Sequence, residues 1–326
     1  MVPVWDSRAV QANLKPFDIY SLNPLTESER EYCQYYGINY DASLPVRQSI
    51  GYYDVQGFRI ALHYFRHQSA KATVLVMHGY YDHVGLYKHL IGYLLEQGYS
   101  VVAYDLPGHG LSTGQSADIK SFAHYQSVLT GTLRLIRGGV KLPLMAVAQS
   151  TGAAVLADYY LTFRHNQLDG AFKSIVMLAP LIRPVGWKRS KLTHSLLRPF
   201  FKTWKRAFRD NSSDSVFLSF LREKDPLQSK VLSVDWVSAL KEWIPRVEKA
   251  RPVDMPLTII QGEDDGTVDW RHNVYTLNKK FRKPSVYYIE GAEHHLVNES
   301  EEIREKIFSI VGRTFSAVVE GQKVTK

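Results

Sequence analysis

Ser150 has the type and the surroundings of a residue that does chemistry. It lies in Ala-Gln-Ser-Thr-Gly, residues 148–152, where an apolar strand-like run meets a helix-like one. A serine hydroxyl becomes a good nucleophile only when a base takes its proton. A sharp turn between strand and helix would lift the hydroxyl clear of the backbone and aim the Thr151 N–H at a developing oxyanion. Ser150 is therefore a candidate nucleophile, and the alternative is a simple helix N-cap, which serine also favours.

A base and an acid for this serine lie more than a hundred residues further along the chain. His294 lies in "IEGAEHHLVNE", residues 289–299, and Asp265 lies in "IIQGEDDGTVD", residues 259–269. In acyl transfer the histidine takes the serine proton, and the aspartate orients the histidine and stabilises the imidazolium. The chain order serine, aspartate, histidine is that of one of the three well-known folds with this chemistry.

Neighbouring residues of the same types are alternatives to both partners. His295 follows His294 directly and is otherwise expected to be packed or solvated beside it. Asp264 is expected to face solvent on its loop, and Asp269 is a candidate N-cap of the helix that follows.

A second oxyanion donor should come from the loop His78-Gly79-Tyr80-Tyr81-Asp82-His83, which follows another apolar run. The backbone N–H of Tyr80 is the candidate, while His78, Asp82 and His83 are expected to shape and hold the loop. No cluster has the spacing of metal ligands. The glycine-rich "GHGLSTG", residues 108–114, lacks the lysine and the spacing of a phosphate-binding loop. We therefore predict neither a metal nor a cofactor.

The elements that must position these residues follow from an alternation of strand-like and helix-like runs. The first strand-like run, residues 72–79, is continuously apolar, as in a strand buried on both faces. Further strand-like runs cover residues 99–108, 142–149, 173–180, 255–262 and 285–291. The helix-like runs between and after them cover residues 86–98, 122–139, 151–163, 270–281 and a last helix from about Glu299. This alternation predicts a mostly parallel sheet with helices on both faces. The functional loops of such a sheet gather at the carboxyl ends of its strands.

A predicted hairpin precedes this alternation, and one long segment interrupts it. Residues 47–55 and 58–65 predict an antiparallel hairpin, whereas residues 181–251 contain no convincing strand and are predicted to be helical. We therefore predict a core made of residues 1–180 and 252–326, with residues 181–251 inserted as a helical cap.

Residues 1–45 form an N-terminal extension to this core. Within them, residues 25–37 predict a short helix, because Thr26 and Glu29 have capping-box spacing and Gly37 can end it.

Taken together, these motifs resemble the α/β-hydrolase superfamily, and within it the monoglyceride lipase and lysophospholipase branch, also grouped with serine aminopeptidase-like hydrolases. The resemblance spans roughly residues 72–320, and the matching stretches are "VMHGYYDHVGLYKHL", "YDLPGHGLSTG", "AQSTG", "IIQGEDDGTVD" and "IEGAEHHLVNE". It implies the α/β-hydrolase fold with a helical cap inserted between sheet strands. It also implies that Asp105 and His109 are structural.

The resemblance implies specific catalytic residues. The family's serine, aspartate and histidine fall on Ser150, Asp265 and His294, and its spacing favours His294 over His295. The family normally has glycine at the position of Ala148, so this chain departs from the usual Gly-x-Ser-x-Gly elbow by one methyl group.

The positive charge of the chain is concentrated in the predicted cap. The chain has a net charge of +8, and the segment from 183 to 209 has nine basic residues and no acidic one. A helix over residues 191–209 would place its leucine, phenylalanine and tryptophan side chains on one half and its basic side chains on the other, with Pro199 able to kink or divide it. Such a helix could cover the active site, rest on anionic lipid, or bind nucleic acid, which we do not expect because no recognition module is present.

The bulk composition sets the remaining bounds. The 326 residues are 45% apolar and 22% charged, which is typical of a soluble globular chain. Cys33 is the only cysteine and cannot form an internal disulfide, which fits a reducing compartment. No run approaches the roughly 20 apolar residues of a spanning helix, and the start of the chain lacks the pattern of a signal peptide. We expect a cytoplasmic protein, with peripheral contact at the inner face of the membrane as a further expectation.

The expected function is that of a serine hydrolase acting on carboxylic esters of lipid-like substrates through an acyl-enzyme on Ser150. A lysophospholipase or monoacylglycerol lipase is the expected type. The alternatives are an aminopeptidase for small peptides, an acyltransferase on the same fold, and a non-catalytic lipid-binding module.

Overall fold

The computed structural model describes residues 5–162 and 170–321, so the predicted end of one helix at residue 163 lies outside it. The strands within the described residues are β1 (Val46–Val55), β2 (Phe58–His67), β3 (Ala72–Met77), β4 (Tyr99–Tyr104), β5 (Leu144–Gln149), β6 (Ile175–Leu178), β7 (Thr203–Lys205), β8 (Val231–Ser233), β9 (Leu257–Gly262) and β10 (Ser285–Ile289). The helices are α1 (Ser7–Asn13), α2 (Glu27–Tyr36), α3 (Lys88–Glu96), α4 (Phe122–Ile136), α5 (Thr151–Leu161), α6 (Trp187–Leu197), α7 (Ser215–Glu223), α8 (Val234–Lys249), α9 (Trp270–Lys280) and α10 (Glu301–Val319).

Eight of these strands form one sheet, in the order β1-β2-β4-β3-β5-β6-β9-β10. β2 is antiparallel to both of its neighbours, and all pairs from β4 to β10 are parallel. The carboxyl ends of the parallel strands therefore meet at one edge, where the predicted functional loops emerge. The predicted fold class, a mostly parallel α/β sheet, is confirmed.

Both faces of the sheet are buried, as the continuously apolar run at residues 72–79 predicts. Along β3, Leu75 and Met77 belong to one core cluster with residues of α4, α5, α8 and α9. Val74 and Val76 belong to a second cluster with residues of α2, α3 and α10. Because successive side chains of a strand point to opposite faces, the two clusters lie on opposite sides of the sheet.

The local predictions for the first sixty residues are also confirmed. α2 begins at a complete capping box between Thr26 and Glu29, and Gly37 ends it with φ of 70°. β1 and β2 form a hairpin in which Val55 pairs with Phe58. The two residues between them have φ of 51° and 79°, as a tight two-residue hairpin turn requires.

The segment between β6 and β9 differs from the all-helical expectation for residues 181–251. It contains α6, α7 and α8, but also the antiparallel pair β7–β8. The prediction of one helix over residues 191–209 is wrong, because α6 ends at Leu197 and β7 begins at Thr203. Pro199 explains the end of the helix, since proline lacks the backbone N–H that would continue it.

The helices of the described ranges, 5–162 and 170–321, include none that is long and apolar enough to cross a membrane.

Candidate active site

Ser150 occupies a sharp turn between β5 and α5. Its backbone has φ of 50° and ψ of −108°, a conformation that side-chain-bearing residues rarely adopt. The turn lies close to the end of β3, because a Cβ on Gly152 would stand 2.6 Å from the carbonyl oxygen of Met77. The Ser150 side chain makes no N-capping hydrogen bond, which argues against the simple N-cap interpretation.

The structure brings Ser150, His294 and Asp265 together. His294 follows β10, and its Nε2 lies 3.0 Å from Ser150 Oγ. Asp265 follows β9, and its Oδ2 lies 2.7 Å from His294 Nδ1. All three side chains are buried. This arrangement requires that Nδ1–H donates to the carboxylate, which leaves Nε2 as the acceptor for the serine hydroxyl.

Asp265 is fixed by further donors on its own loop and on β9. Its Oδ1 accepts from the backbone N–H groups of Thr267 and Val268, and its Oδ2 accepts from Gln261 Nε2. Burial alone would raise the pKa of Asp265, but the charge and the hydrogen bond of His294 and the two backbone donors outweigh it, so that pKa is lowered. Burial would likewise lower the pKa of His294, yet the Asp265 carboxylate raises it. The pair therefore favours an ionised carboxylate that stabilises an imidazolium.

The structure places both predicted oxyanion donors in segments that adjoin Ser150. Thr151 is the first residue of α5, so its N–H has no acceptor within the helix. Gly79, which precedes Tyr80, passes so close to Ser150 that a Cβ there would stand 3.3 Å from the serine Cβ. A carbonyl oxygen attacked by Ser150 would thus lie near the N-terminus of α5 and near the loop that follows β3.

Asp82 holds that loop in place through hydrogen bonds. Its Oδ2 accepts from the Gly79 N–H at 3.2 Å and from Tyr87 Oη at 3.0 Å. Its Oδ1 lies 3.0 Å from His295 Nε2. His295 is thus buried against Asp82, and it does not contact Ser150 in place of His294. Burial would raise the pKa of Asp82, but His295 lowers it below the usual range.

The other aspartates considered from the sequence either face solvent or accept hydrogen bonds from backbone N–H groups. Asp264 is exposed, and Asp269 caps α9 by accepting from the His272 N–H. Asp105 accepts from two backbone N–H groups, those of Val84 and Leu111.

The two histidines of the neighbouring loops bind backbone groups. Nε2 of His78 accepts from the Leu106 N–H, and burial lowers the His78 pKa to about 3. Nδ1 of His109 lies 2.9 Å from the carbonyl oxygen of Pro107, and burial lowers the His109 pKa to about 4. Both rings are therefore neutral around pH 7.

A buried cluster around Asp225 was missed at the sequence level. Asp225 follows α7, and its carboxylate accepts from Tyr36 Oη at 2.7 Å, lies 3.1 Å from His83 Nε2 and accepts from Gln228 Nε2. It joins α2, the loop after β3 and the inserted segment. Burial would lower the pKa of His83, but Asp225 raises it. Nothing in the sequence around these residues indicates the cluster, because Asp225 lies 189 residues from Tyr36 and 142 residues from His83.

The inserted segment also holds the loop of His294. The carbonyl oxygen of Asn211 accepts from the backbone N–H groups of His294 and His295, and Ser212 Oγ donates to the carbonyl oxygen of Asn298. The position of the candidate base therefore depends on residues that lie outside the sheet and its helices.

A cavity of about 560 Å³ lies between the inserted segment and the loops of the site. Its lining from the core includes Tyr80 and Thr267, which belong to the loops after β3 and β9. The aromatic ring of Tyr80 stacks on Trp236 of α8, with ring centroids 3.8 Å apart. The apolar side chains that line the rest of the cavity are Trp187, Trp204, Leu232, Val237 and Leu240. A cavity of this size and character suits a small apolar ligand with a few polar groups.

Among the residues the structure describes, no group of three or more histidine, cysteine, aspartate or glutamate side chains could hold a metal ion.

Comparison with known proteins identifies the family of the chain. The sequence profile of the family described as serine aminopeptidase, S33, matches residues 68–301. The chain is 26% identical to phospholipase YtpA of Bacillus subtilis over 249 residues, which is 73% of this chain and 92% of that protein. It is 27% identical to human monoglyceride lipase over 252 residues, which is 73% of this chain and 80% of that protein.

A solved structure shows the same fold. A variant of monoglyceride lipase from Saccharomyces cerevisiae, in complex with a substrate analog, superposes with a TM-score of 0.71 at 17% identity. The superposition covers 87% of this chain and 97% of that one.

Proposed function

Because the chain belongs to the serine aminopeptidase, S33, family of α/β-hydrolases and is a serine ester hydrolase, we propose that it cleaves lipid-like carboxylic esters through an acyl-enzyme on Ser150. The observation that carries this proposal is the hydrogen-bonded series Asp265–His294–Ser150 beside an apolar cavity.

In the proposed reaction, Ser150 Oγ attacks the acyl carbonyl carbon while His294 Nε2 takes the hydroxyl proton. The N–H groups of Tyr80 and Thr151 stabilise the oxyanion of the tetrahedral intermediate. His294 then gives the proton to the leaving alcohol, which departs and leaves the acyl group on Ser150. A water molecule, deprotonated by His294, attacks the carbonyl carbon of the acyl-enzyme. The bond between that carbon and Ser150 Oγ then breaks, His294 returns the proton to Oγ, and the fatty acid leaves. Asp265 orients the imidazole and stabilises its charged form throughout.

Lysophospholipids and monoacylglycerols are the proposed substrates. Both have a single acyl chain, and the tryptophan and leucine side chains that line the cavity suit an alkyl chain. The names of two relatives, phospholipase and monoglyceride lipase, support the same choice.

The test combines covalent labelling with a substrate panel. A fluorophosphonate probe should label the wild-type protein and fail to label Ser150→Ala, while Ser309→Ala, an exposed serine on α10, should label normally. The wild type should hydrolyse lysophospholipid or monoacylglycerol at least a hundredfold faster than an aminoacyl anilide. Absence of labelling would favour a non-catalytic module, and faster cleavage of the anilide would favour a peptidase. Transfer of the acyl group to an added alcohol in preference to water would favour an acyltransferase.

We further propose that the inserted segment rests on an anionic membrane surface at the cytoplasmic face. Leu192 and Leu196 of α6 are each 64% exposed, and Phe200, just beyond it, is 78% exposed. Basic side chains alternate with these apolar ones, and no acidic residue interrupts the segment from 183 to 209. Exposed apolar side chains among basic ones are typical of surfaces that bind anionic lipid. The unpaired and buried Cys33 supports a reducing compartment.

A further inference from the structure

Arg206, directly after β7, presents a fixed cation to the cavity. Its guanidinium lies 3.8 Å from the ring centroid of Tyr81 and 4.2 Å from that of Phe208. Its Nη1 donates to Gln228 Oε1 at 2.6 Å and to the carbonyl oxygen of Ser229 at 3.2 Å. Two ring contacts and two hydrogen bonds therefore hold the group in one place.

The same contacts leave most of its donors unused. Among the described residues, the hydrogen bonds of Arg206 use only Nη1, so Nε and Nη2 donate to none of them. Burial lowers the pKa of Arg206, and the Asp82 and Asp225 carboxylates oppose this through their charge without binding the guanidinium directly. An arginine stays charged in such surroundings. Arg206 is thus an anchored fork of N–H groups with no directly bound anion.

Gln228 ties this arginine to the candidate active site. Its Nε2 donates to the carbonyl oxygen of Tyr81 at 3.0 Å, and Tyr81 adopts φ of 72° in the loop that carries Tyr80. Gln228 therefore hydrogen-bonds both to the guanidinium of Arg206 and to the loop that supplies a proposed oxyanion donor.

The charged residues that line the cavity are all basic. They are Arg189, Lys205 and Arg206, and none of the lining residues is acidic. The other lining residues are mostly aromatic and aliphatic. A ligand with one alkyl chain and one oxyanion matches both sets of residues, and arginine donates to phosphate through two parallel N–H groups.

We propose that Arg206 binds the phosphate of a lysophospholipid substrate and so selects phosphate-bearing monoacyl lipids over neutral monoacylglycerol. The inference rests on the proposed function, since it assigns the headgroup preference of the same site. Arg206 is here a specificity-determining residue, and the ester chemistry remains with Ser150, His294 and Asp265.

The test measures lipid binding apart from turnover. In the Ser150→Ala background, tryptophan fluorescence should report ligand entry, because Trp187, Trp204 and Trp236 line the cavity. The probes are 1-oleoyl lysophosphatidic acid, 1-oleoyl glycerol and oleate, each kept below the concentration at which it forms micelles. Adding Arg206→Gln should raise the Kd of lysophosphatidic acid about 10- to 100-fold, because a hydrogen-bonded ionic contact is lost. The Kd of 1-oleoyl glycerol should change less than about twofold.

A matched variant controls for general attraction of anions to the basic segment. Lys230→Gln also removes one positive charge from the inserted segment, and Lys230 is exposed and outside the cavity lining. It should leave all three dissociation constants within about twofold. Arg206→Lys, which keeps the charge without the planar fork, should recover only part of the affinity for lysophosphatidic acid.

Three outcomes would overturn the inference. Equal losses for lysophosphatidic acid and 1-oleoyl glycerol would show that Arg206 only supports the fold. A loss as large in Lys230→Gln would show a non-specific charge effect. A loss confined to oleate would place the carboxylate of a product at Arg206 instead of the phosphate of a substrate. Selective binding without hydrolysis by the wild type would instead refute the proposed function and leave the anion site standing.

Discussion

At Ser150 the chain holds a backbone conformation that costs free energy, and the glycine that permits it is Gly152. A Cβ at Gly152 would collide with the carbonyl oxygens of Met77 and His78, at 2.6 Å and 2.8 Å. Ala148 lies inside β5, buried and paired with Met77 and Met177. The departure from the family's glycine therefore falls where a methyl group fits the core.

Ala148→Gly should accordingly change turnover less than about twofold. It should lower the free energy of unfolding by about 1 kcal/mol, because glycine is unfavourable in a strand and a buried methyl group is lost. Denaturant unfolding and ester hydrolysis measure the two effects. A large gain in turnover would mean that the alanine strains the turn. Gly152→Ala provides the contrast, since displacement of the turn should lower kcat about 10- to 100-fold.

Asp265→Asn should lower kcat by about 10³- to 10⁴-fold, as loss of the orienting carboxylate does in serine hydrolases. The pH dependence gives a second readout. Because the Asp265 carboxylate raises the pKa of His294, its removal lowers that pKa. His294 must be neutral to act as a base, so the acid limb of kcat/KM should move to lower pH in the variant. An acid limb that stays in place would mean that another group titrates there.

The residues of the candidate site were predictable from the sequence to the extent that each follows a recognisable strand. Ser150, Asp265 and His294 lie within five residues after the ends of β5, β9 and β10, so the topology brings them to one edge. Which of His294 and His295 meets the serine depends on how one loop turns. That turn is set by the contact between His295 and Asp82, a residue more than two hundred positions away.

At the scale of elements, Asp225 joins three parts of the chain that the sequence presents as separate. Tyr36 belongs to the N-terminal extension, His83 to the loop that carries Tyr80, and Asp225 itself to the inserted segment. Through Tyr36, the N-terminal extension thus helps to hold the inserted segment against the core.

Tyr36→Phe should loosen that attachment. The hydroxyl is lost and the ring stays, so one hydrogen bond to a buried carboxylate is removed, at a cost of about 1–3 kcal/mol in unfolding free energy. Backbone amides from about residue 210 to residue 230 should exchange hydrogen faster. Tyr275→Phe is the control, because Tyr275 is 57% exposed and its loss of a hydroxyl should leave exchange unchanged. Equal exchange in both variants would mean that other contacts hold the segment.

Whether a helix or strand could be predicted depends on its length and on the pattern of its apolar residues. β3 to β6 are apolar and α3 to α5 are periodic, so their patterns are visible in the sequence. β7 and β8 have three residues each, which is too short for a period to appear. The apolar and basic residues from 191 to 209 fit a helical period, yet Pro199 ends the helix, and pairing between β7 and β8 decides the rest.

At the scale of the whole molecule, the exposed apolar side chains near α6 predict binding to anionic vesicles. The protein should float with phosphatidylglycerol vesicles and much less with phosphatidylcholine vesicles, and added salt should weaken the binding. The double change Leu196→Ser and Phe200→Ser should reduce flotation about tenfold, because two apolar side chains no longer enter the lipid.

Leu142→Ser is the matched control for this experiment. Leu142 is 68% exposed, similar to Leu196, but it precedes β5 and so lies at the opposite edge of the sheet. Its change should leave flotation intact. Binding that ignores the content of anionic lipid, or that falls equally in the control, would contradict the proposed membrane surface.

The stacked rings of Tyr80 and Trp236 couple the position of α8 to the geometry of the loop after β3. Any state of the inserted segment in which α8 moved away would have to break the stack or pull Tyr80 with it. By reciprocity, a ligand that orders Tyr80 would favour the stacked arrangement by the same free energy with which that arrangement favours the ligand. The measured affinity of such a ligand would therefore include the free energy of forming the stack.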